Sequence, residues 1–430
     1  MLVPTSMTSE SPRVAGWLAK SRAIHASRMA PSDLHDLMPD IAASWAANEE
    51  SLELPEGCTG LKYGLQWYTS SFFDDEDIKD RLRFDEVNHE WMRDDQRRTP
   101  LYYAAIRKRL AAADAPLVVL DLGTGPYALL ALEAARAGAQ KVYAIEADQK
   151  NAKLAVEAVS AAGYAEVVEV VCGISTRVTL PEKVDLLISE VIGSVASEEG
   201  VYATIADAHA RHVKRPTEAS SWIPHRCQTW GAPASYSVHF ALGRPDYEWR
   251  AGAACRVACE EPALQILSKP QLVEDIDFTD PALPTDGTHR LTPEPVTFVF
   301  DEQLMGANAA GYERDGTTAA VREGREEDAE EEAEVRADAA AFAAGASRSL
   351  SGIALWPRLE LDPADETLAV EARGSEGEPQ PSSWHVLLPI LAERPLPIEP
   401  GESVTMALSI QLEEGVESGP RYVMEGELKK

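Results

Sequence analysis

The sequence predicts an α/β domain with a doubly wound parallel sheet, followed by a domain of antiparallel β-structure. Between residues 116 and 225, apolar strand-like runs alternate with helical patterns, which is typical of a parallel sheet with helices on both faces. After Pro224, short alternating stretches dominate and indicate the strands of a barrel or sandwich. A chain of 430 residues, 45% of them hydrophobic, can build a core in each domain.

Apolar runs predict four strands in the first domain, at 117–122, 141–146, 167–172 and 184–189. A glycine-containing loop follows the first strand and leads into a helix predicted from Ala128 to Ala137. Asp148 is a suitable N-cap for a second helix that runs towards Ala162.

Strands of the second domain are predicted at 297–300, 352–361, 384–388 and 404–412. Helical and proline-rich sequence interrupts them at residues 245–285. Residues 313–347 combine an acidic run with an alanine-rich tract, which indicates either a solvated helix or a disordered insertion. Removing residues 316–345 is expected to leave the fold intact. A solvated loop is the simpler interpretation of the acidic run, and steering of basic substrates is the alternative.

The segments before the first domain are predicted in two parts. Residues 1–60 are an N-terminal extension, partly disordered, and residues 61–115 have a helical pattern in which Pro100 suits a helix start. The first thirty residues carry four basic side chains against one acidic one. That composition fits a plain disordered N-terminus, with an organelle-targeting sequence as the alternative.

Charge and composition limit the partners of this chain. The net charge of −31 argues against direct binding to nucleic acid or to an anionic membrane, because phosphate contacts need lysine and arginine. It is compatible with a basic protein partner, although solubility alone is the simpler explanation. No apolar run of membrane-spanning length occurs. The five scattered cysteines form neither a disulfide framework nor a zinc-ligand pattern and suggest a reducing compartment.

A glycine loop and a later acidic residue indicate a nucleoside-containing ligand. Asp121-Leu-Gly-Thr-Gly125 follows the first strand, and Gly123 and Gly125 permit a tight turn and a close approach of the backbone to a ligand. Glu146 ends the second strand, where a carboxylate can accept hydrogen bonds from both ribose hydroxyls. The dinucleotide pattern would require glycine at position 128, which is Ala128, so a nicotinamide cofactor is disfavoured.

The loop Glu190-Val-Ile-Gly-Ser-Val-Ala-Ser-Glu-Glu199 is the most informative stretch of the chain. It leaves the fourth strand at its carboxyl end, where open α/β sheets bind ligands. Two ionised carboxylates that face each other repel and need a cation between them, and a planar guanidinium has a matching fork of donors. Glu190 provides the first carboxylate, and either Glu198 or Glu199 provides the second.

Together these elements resemble the protein arginine N-methyltransferases, a family of class I methyltransferases that use AdoMet (S-adenosylmethionine). The loop from Glu190 to Glu199 resembles the family's double-glutamate loop. The Asp121 loop with Glu146 resembles the AdoMet signature, although Tyr127 stands where a third glycine is usual. Trp91-Met-Arg-Asp-Asp-Gln-Arg-Arg-Thr99 resembles the Met-Leu-x-Asp-x-x-Arg-Thr element that precedes the AdoMet domain.

The family's Thr-His-Trp loop is matched only in part, by Ser382-Ser-Trp384, and His385 falls one position late. The resemblance spans roughly residues 84–412 and is strongest across 92–226.

The resemblance implies a role for each matching residue. Glu190 and Glu199 would grip the target guanidinium, and family spacing favours Glu199 over Glu198, so that Glu198→Gln is expected to be nearly silent. Met92 and Trp384 would line the arginine pocket. Residues implied in AdoMet binding are His89, Arg98 (paired with the cofactor carboxylate), Asp121, Gly123, Gly125, Glu146 and Ser175 (at the adenine position). No metal ligand is implied.

The same resemblance implies the domain plan and the partners. Helices within 61–115 would cover the cofactor, residues 116–225 would form a Rossmann-like AdoMet-binding domain, and residues 226–430 a β-barrel domain. A helical arm at about 245–285 would dock on the partner in a homodimer. Substrates would be arginine-containing basic proteins, in the cytoplasm or the nucleus. Two alternatives stay open: a class I methyltransferase for a small molecule, and a catalytically silent relative that serves as a scaffold.

Overall fold

A computed structural model of the chain describes residues 60–68, 86–237, 239, 254–322, 329–392, 394–412 and 420–430. The helices in these ranges are α1 (Glu86–Asp94), α2 (Arg98–Ala111), α3 (Leu129–Arg136), α4 (Gln149–Ala161), α5 (Val201–Arg211), α6 (Glu302–Arg322) and α7 (Ala329–Ser347). None of the helices within these ranges is both long and apolar enough to cross a membrane.

The strands fall into one parallel and several antiparallel sheets. The first six are β1 (Gly60–Tyr68), β2 (Val118–Leu122), β3 (Lys141–Glu146), β4 (Val168–Cys172), β5 (Leu186–Ser189) and β6 (Trp222–Ile223). The others are β7 (Arg226–Tyr236), β8 (Ala254–Ala258), β9 (Leu264–Ile266), β10 (Gln271–Asp277), β11 (Gly287–Arg290), β12 (Val296–Val299), β13 (Ser349–Leu350), β14 (Gly352–Glu360), β15 (Ala369–Glu371), β16 (His385–Pro389), β17 (Leu396–Pro397), β18 (Ser403–Leu412) and β19 (Arg421–Lys429).

The parallel sheet has the strand order β4-β3-β2-β5-β6, which is the doubly wound order predicted from the sequence. The order reverses between β2 and β5, so a crevice opens at their carboxyl ends. Leu120, Leu187 and Ile188 are fully buried, as expected for strands covered on both faces. The predicted N-cap is confirmed, since the Asp148 side chain accepts a hydrogen bond of 2.8 Å from the amide of Asn151.

The second domain consists of antiparallel sheets, and within the described residues they do not close into one barrel. One sheet has the order β1-β19-β18-β11, with β12 also paired to β18. The larger one has the order β10-β7-β14-β16-β8, with β9 and β15 at its margins. The predicted antiparallel domain is therefore confirmed, whereas the closed barrel is not observed.

The prediction of helix for residues 61–115 is wrong at its start. Gly60–Tyr68 forms strand β1, which pairs with β19 along its whole length. The physical reason is a period of two: Leu65 and Trp67 are buried while Lys62 and Gln66 are exposed. The helical pattern continued through residues 69–85, which lie outside the described residues, and helix is observed from Glu86 onward.

The predicted helical arm at 245–285 is also wrong over the part that is described. Residues 245–253 lie outside the described residues, and from Ala254 onward the segment forms β8, β9 and β10 within the larger sheet. The sequence alternates there, with Cys255 and Val257 buried and Arg256 exposed between them. A segment that contributes sheet strands and buried side chains is part of the domain core, so it does not form a separate docking arm.

The insertion at 313–347 is helical where it is described, as one of the two interpretations predicted. Helices α6 and α7 form a hairpin whose base is packed into the core. The Tyr312 and Phe342 rings meet edge to face at 5.7 Å, and the Tyr312 hydroxyl donates to the carbonyl of Ala263 at 3.2 Å. Phe342 and Ala343 are buried, which contradicts the expectation that residues 316–345 can be removed without affecting the fold.

Candidate active site

The candidate site lies at the carboxyl ends of β2, β3 and β5. The glycine loop leaves β2, Glu146 ends β3, and Glu190 follows β5 directly. The buried Tyr102 hydroxyl of α2 donates a hydrogen bond of 3.0 Å to the carbonyl of Ser189 and so fixes the end of β5. The sheet order and this hydrogen bond place the glycine loop and Glu190 at the same crevice.

The glycine loop turns back onto β3 and approaches the Glu190 loop. Gly123 and Gly125 have φ angles of +78° and +65°, a region that favours glycine. The amides of Gly123 and Thr124 both donate to the carbonyl of Ile145 at 3.0 Å. A Cβ atom on Gly123 would lie 3.0 Å from the Val191 side chain, so the two loops are in close contact.

Asp121 and Glu146 hold this loop through their carboxylates. Asp121 Oδ2 accepts hydrogen bonds from Thr124 Oγ1 at 2.6 Å and from the amide of Ala131 at 3.0 Å. Its Oδ1 is buried without a partner among the described residues, and burial raises the pKa of Asp121 to about 6. Glu146 accepts from the amides of Gly125 and Asp148, at 2.9 and 2.8 Å. An acceptor left open beside exposed glycine backbone fits a ligand that carries hydroxyl or ammonium donors.

Helix α1 packs against the glycine loop. The His89 ring lies 3.7 Å from the position that a Cβ of Gly125 would occupy. The Arg93 guanidinium lies over the Tyr127 ring, 5.1 Å from its centre. Tyr127, which replaces the usual third glycine, therefore contacts α1. His89 is placed beside the predicted cofactor loop.

Arg98 and Glu190 form an ion pair, although the family resemblance implied different ligands for them. Arg98 Nη1 lies 2.6 Å from Glu190 Oε2, and their side chains are only 9% and 13% exposed. Burial raises the pKa of Glu190, and the charge of Arg98 only partly offsets this effect. The pair shows that one guanidinium already reaches the first glutamate from α2. A cofactor carboxylate at Arg98 would compete with Glu190 for the same cation.

Met92 and Trp384 both contact Arg98 of this ion pair. The carbonyl of Met92 accepts hydrogen bonds from Thr99 Oγ1 at 3.0 Å and from Arg98 Nη2 at 3.4 Å. The centre of the Trp384 ring lies 5.8 Å from the Arg98 guanidinium, and its Nε1 donates to the carbonyl of Ile192 at 2.9 Å. The predicted pocket residues are thus brought together, and Trp384 is attached to the double-glutamate loop.

Glu199 is the second carboxylate of the pocket. Burial, together with the charges of Glu190 and Glu198, raises the pKa of Glu199 to about 8, while Arg256 and Arg98 oppose the shift. Within the described part of the chain Glu199 forms no ion pair. A partly exposed carboxyl group with an elevated pKa and no paired cation favours a positively charged ligand.

Glu198, by contrast, points into its own loop. Its Oε2 accepts a hydrogen bond of 2.8 Å from the amide of Ser194, and its Oε1 is ion-paired with Arg256. Glu198 therefore has its partners inside the protein, whereas Glu199 does not. This difference supports the family spacing that favoured Glu199, and it argues against the expectation that Glu198→Gln is nearly silent.

Ser175 lies three residues after β4, near the Glu146 end of the crevice. The amide of the neighbouring Gly173 donates to the carbonyl of Glu146 at 2.9 Å. The Ser175 carbonyl accepts hydrogen bonds from Arg211 at 2.9 Å and from His212 at 3.3 Å. These contacts fix the backbone of this segment. The contact of Ser175 with adenine stays a prediction.

Three residues near the site were missed by the sequence analysis. Asp95 accepts from the amides of Arg98 and Ser383, both at 2.8 Å, and so joins α2 to the Trp384 loop. Its position inside the Met-x-x-Asp-x-x-Arg-Thr element was a signal that could have identified it. Arg256 and Glu274 lie far from the Glu190–Glu199 loop in the sequence, and neither belongs to a motif that could have identified it.

Comparisons with known proteins agree with the resemblance predicted from the motifs. Residues 65–217 match the family model described as PRMT5 arginine-N-methyltransferase. Protein arginine N-methyltransferase PRMT10 of Oryza sativa subsp. japonica is 41% identical over 111 residues, which cover 25% of this chain and 29% of the relative. Protein arginine N-methyltransferase 7 of Drosophila grimshawi is 30% identical over 253 residues, covering 57% of this chain and 34% of the relative. The matched regions span about a third of the length of these relatives.

Two solved structures share the fold. The crystal structure of Arabidopsis thaliana protein arginine methyltransferase 10 superposes with a TM-score of 0.53 at 18% identity, covering 79% of this chain and 96% of that one. The Trypanosoma brucei PRMT1 enzyme–prozyme heterotetrameric complex with AdoHcy gives 0.52 at 16% identity, covering 79% and 98%. At these identities the likeness shows the fold alone. The predicted resemblance to the protein arginine N-methyltransferase family is confirmed by the family match and the named relatives.

Proposed function

On the basis of this family resemblance, we propose that the chain transfers a methyl group from AdoMet to a guanidino nitrogen of arginine in protein substrates. One observation carries the proposal: the largely buried Glu190 and Glu199 share a pocket that, among the described residues, has fewer cations than carboxylates. Among the described residues, Arg98 pairs with Glu190 and Arg256 pairs with Glu198, which leaves Glu199 without a paired cation. One additional positive charge balances the pocket, and a guanidinium supplies one with donors for two carboxylates.

The two glutamates would act on the target arginine by charge and by position. An arginine side chain is protonated in water, and its delocalised lone pair makes it a poor nucleophile. Two carboxylates bound to the other nitrogens draw positive charge towards themselves and leave the attacking nitrogen more nucleophilic. Holding the reacting atoms in line at about 3–3.5 Å contributes several kcal/mol to lowering the barrier.

Residues on the other side of the crevice would hold the cofactor, which supplies an electrophilic methyl group on a sulfonium. Glu146 would accept hydrogen bonds from ribose hydroxyls, and the unpartnered Oδ1 of Asp121 would provide a second acceptor. Exposed backbone at Gly123 allows close approach. Arg98 is the cation available for the cofactor carboxylate, and this role requires it to share or release its contact with Glu190.

The proposal extends to partners in a limited way. Arginine-rich, basic proteins are the substrate class that suits both the pocket and the net charge of −31. We also propose self-association, since the Trypanosoma brucei neighbour is described as a heterotetrameric complex. The arm once expected at 245–285 takes no part in this proposal. Sedimentation of the intact chain at micromolar concentration tests it, and a fully active monomer would contradict it.

Mass spectrometry of methylated peptides tests the main proposal. The intact chain is incubated with AdoMet and an arginine-rich peptide, and a matched peptide with every arginine replaced by lysine serves as the control. The expected result is a gain of methyl groups on the arginine peptide alone. Methylation of neither peptide, with AdoMet bound, would favour the silent scaffold, and transfer only to small acceptors would favour the other methyltransferase class.

A further inference from the structure

We propose that Glu198 and Arg256 are positioning residues that hold the clamp loop, residues 190–199, in the shape that presents Glu199 to the target arginine. This inference rests on the proposed function, because it assigns the supports of that same site. Neither residue is assigned a contact with the target arginine. They act through the loop, from within it and from strand β8.

The geometry of the loop points to an internal fastening. Glu198 Oε2 accepts a hydrogen bond from the amide of Ser194 at 2.8 Å, four residues back along the loop. Arg256 donates to Ser194 Oγ at 2.9 Å and is also ion-paired with Glu198 Oε1. A single arginine therefore ties both ends of the turn between Ser194 and Glu198 to strand β8.

Burial makes this fastening costly to break. The Glu198 side chain is only 4% exposed, whereas the Arg256 side chain is 50% exposed. Removing the cation would leave a buried carboxylate with one fewer partner, which is strongly unfavourable. The loop has also closed around Glu198, since a Cβ atom on Gly193 would lie 2.6 Å from the Glu198 Cβ. Only glycine fits at position 193 while the loop keeps this shape.

A second set of contacts joins the loop between Ser194 and Glu198 to the antiparallel domain. The amide of Ala196 donates to Thr229 Oγ1 at 2.8 Å, and Thr229 donates to the buried Glu274 at 2.7 Å. The Ser197 hydroxyl lies 2.8 Å from that of Tyr422. These bonds hold Ala196 and Ser197 on the antiparallel domain, and the Glu198–Arg256 pair holds the residue directly before Glu199.

The pair also sets the electrostatic surroundings of Glu199. The charges that act on Glu199 are those of Glu190 and Glu198 from its own loop, Arg98 from α2 and Arg256 from β8. Loss of Arg256 removes a cation and therefore favours the protonated form of Glu199. Loss of the Glu198 charge removes a neighbouring anion and favours the ionised form. The two halves of one ion pair thus have opposite effects on the ionisation of Glu199, although both hold the loop.

These opposite effects on the ionisation of Glu199 distinguish a positioning role from a general loss of structure. Glu198→Gln and Arg256→Met should each raise KM for an arginine-rich peptide by on the order of tenfold or more, because a displaced Glu199 would lose its charge-assisted hydrogen bonds to the guanidinium. The dissociation constant for AdoHcy should change by less than about twofold. The part of the pH profile in which kcat/KM rises should follow the ionisation of Glu199. It should move to higher pH in Arg256→Met and to lower pH in Glu198→Gln. Arg256→Lys should restore the pH profile of kcat/KM, because lysine keeps the positive charge. It should not restore KM, because lysine lacks the forked donors of the guanidinium.

Arg348→Met is the matched control, since Arg348 pairs with Glu399 at 2.8 Å with a similarly exposed side chain and lies outside the site. It should leave KM and the pH profile of kcat/KM unchanged. The proposal would be overturned if the pH profiles of kcat/KM shift in the same direction in Arg256→Met and Glu198→Gln, or if KM is unchanged in these variants.

Hydrogen exchange keeps the proposal testable if the wild type methylates no arginine peptide. In that case the proposed function fails, and exchange at the amide of Ser194 decides on the fastening alone. Protection should be lost in Glu198→Ala and retained in Arg348→Met. Unchanged protection in a folded Glu198→Ala protein would show that the loop does not depend on Glu198.

Discussion

Binding of an arginine peptide should release a proton from Glu199. Burial and two neighbouring carboxylates raise the pKa of Glu199 to about 8, so roughly nine in ten of these side chains are protonated at pH 7 in the free pocket. A bound guanidinium favours the charged form, because an opposite charge within a few ångströms lowers the pKa of a carboxyl group. If the bound pKa falls below about 6, binding releases close to one proton.

The same shift fixes how affinity depends on pH. The ionised fraction of Glu199 rises about tenfold between pH 7 and pH 9, which is equivalent to about 1.4 kcal/mol of binding free energy. The unliganded protein should show the reverse trend in stability. Since the folded state holds this proton more tightly than the unfolded chain, stability falls as the pH rises from the ordinary value of 4.5 through about 8.

Calorimetry can measure the released proton directly. The AdoHcy-bound protein is titrated with an arginine-rich peptide at pH 7 in two buffers with different heats of ionisation. The difference in apparent enthalpy gives the number of protons released, and Glu199→Gln should reduce that number by most of one. Equal enthalpies in both buffers, together with an affinity that does not change between pH 7 and pH 9, would refute this reasoning.

Three further predictions follow from other parts of the molecule. Phe342→Ala should lower the free energy of unfolding by about 3 kcal/mol, because the side chain is buried at the base of the α6–α7 hairpin, while the exposed Ala341→Ser should cost less than about 0.5 kcal/mol in the same denaturant titration. Trp384→Phe keeps a ring but loses the bond to the carbonyl of Ile192, so peptide affinity measured by calorimetry should weaken by about 1 kcal/mol, and an unchanged affinity would remove Trp384 from the pocket. Glu146→Ala should weaken AdoMet binding by about 1–3 kcal/mol, and full affinity in that variant would contradict its place in the cofactor site.

The parallel sheet was predictable because its signals are local. Each strand is a short apolar run, Asp148 is a cap adjacent to the helix it begins, and the glycine loop follows β2 without interruption. The antiparallel strands were also recognisable, since alternation at positions such as those of β18 shows directly in the sequence. Boundaries within two residues follow from the same local patterns.

The errors arose where pairing partners are far apart in the chain. Gly60–Tyr68 becomes a strand because β19, more than 350 residues later, pairs with it. Residues 254–277 form strands because β16 and β7 supply the neighbouring edges. The contact between Arg98 and Glu190 joins residues that are 92 positions apart. Such contacts depend on the tertiary fold, which local patterns do not specify.

The candidate site was predicted in its residues but not in its supports. Glu190, Glu199, Arg98 and Trp384 carry motif signals and are close together in the structure. Glu198 was taken as a silent neighbour because the spacing alone cannot show which way a side chain points. Its amide contact and its arginine partner are visible only once β8 is placed beside the loop.

The measurement that tests the central claim most directly is radiolabelled methyl transfer to an arginine-rich peptide by the wild type, Glu190→Gln and Glu199→Gln. Each substitution keeps the size of the side chain and removes its charge. Each should lower the rate by on the order of a hundredfold, since charge stabilisation at a reacting centre contributes about 2.7–4 kcal/mol. AdoHcy affinity should barely change in Glu199→Gln and should not weaken in Glu190→Gln, where Arg98 loses a competing carboxylate. The exposed Glu157→Gln should be as active as the wild type. Rates within about threefold of wild type in both clamp variants would contradict the claim that these glutamates bind and activate the target arginine.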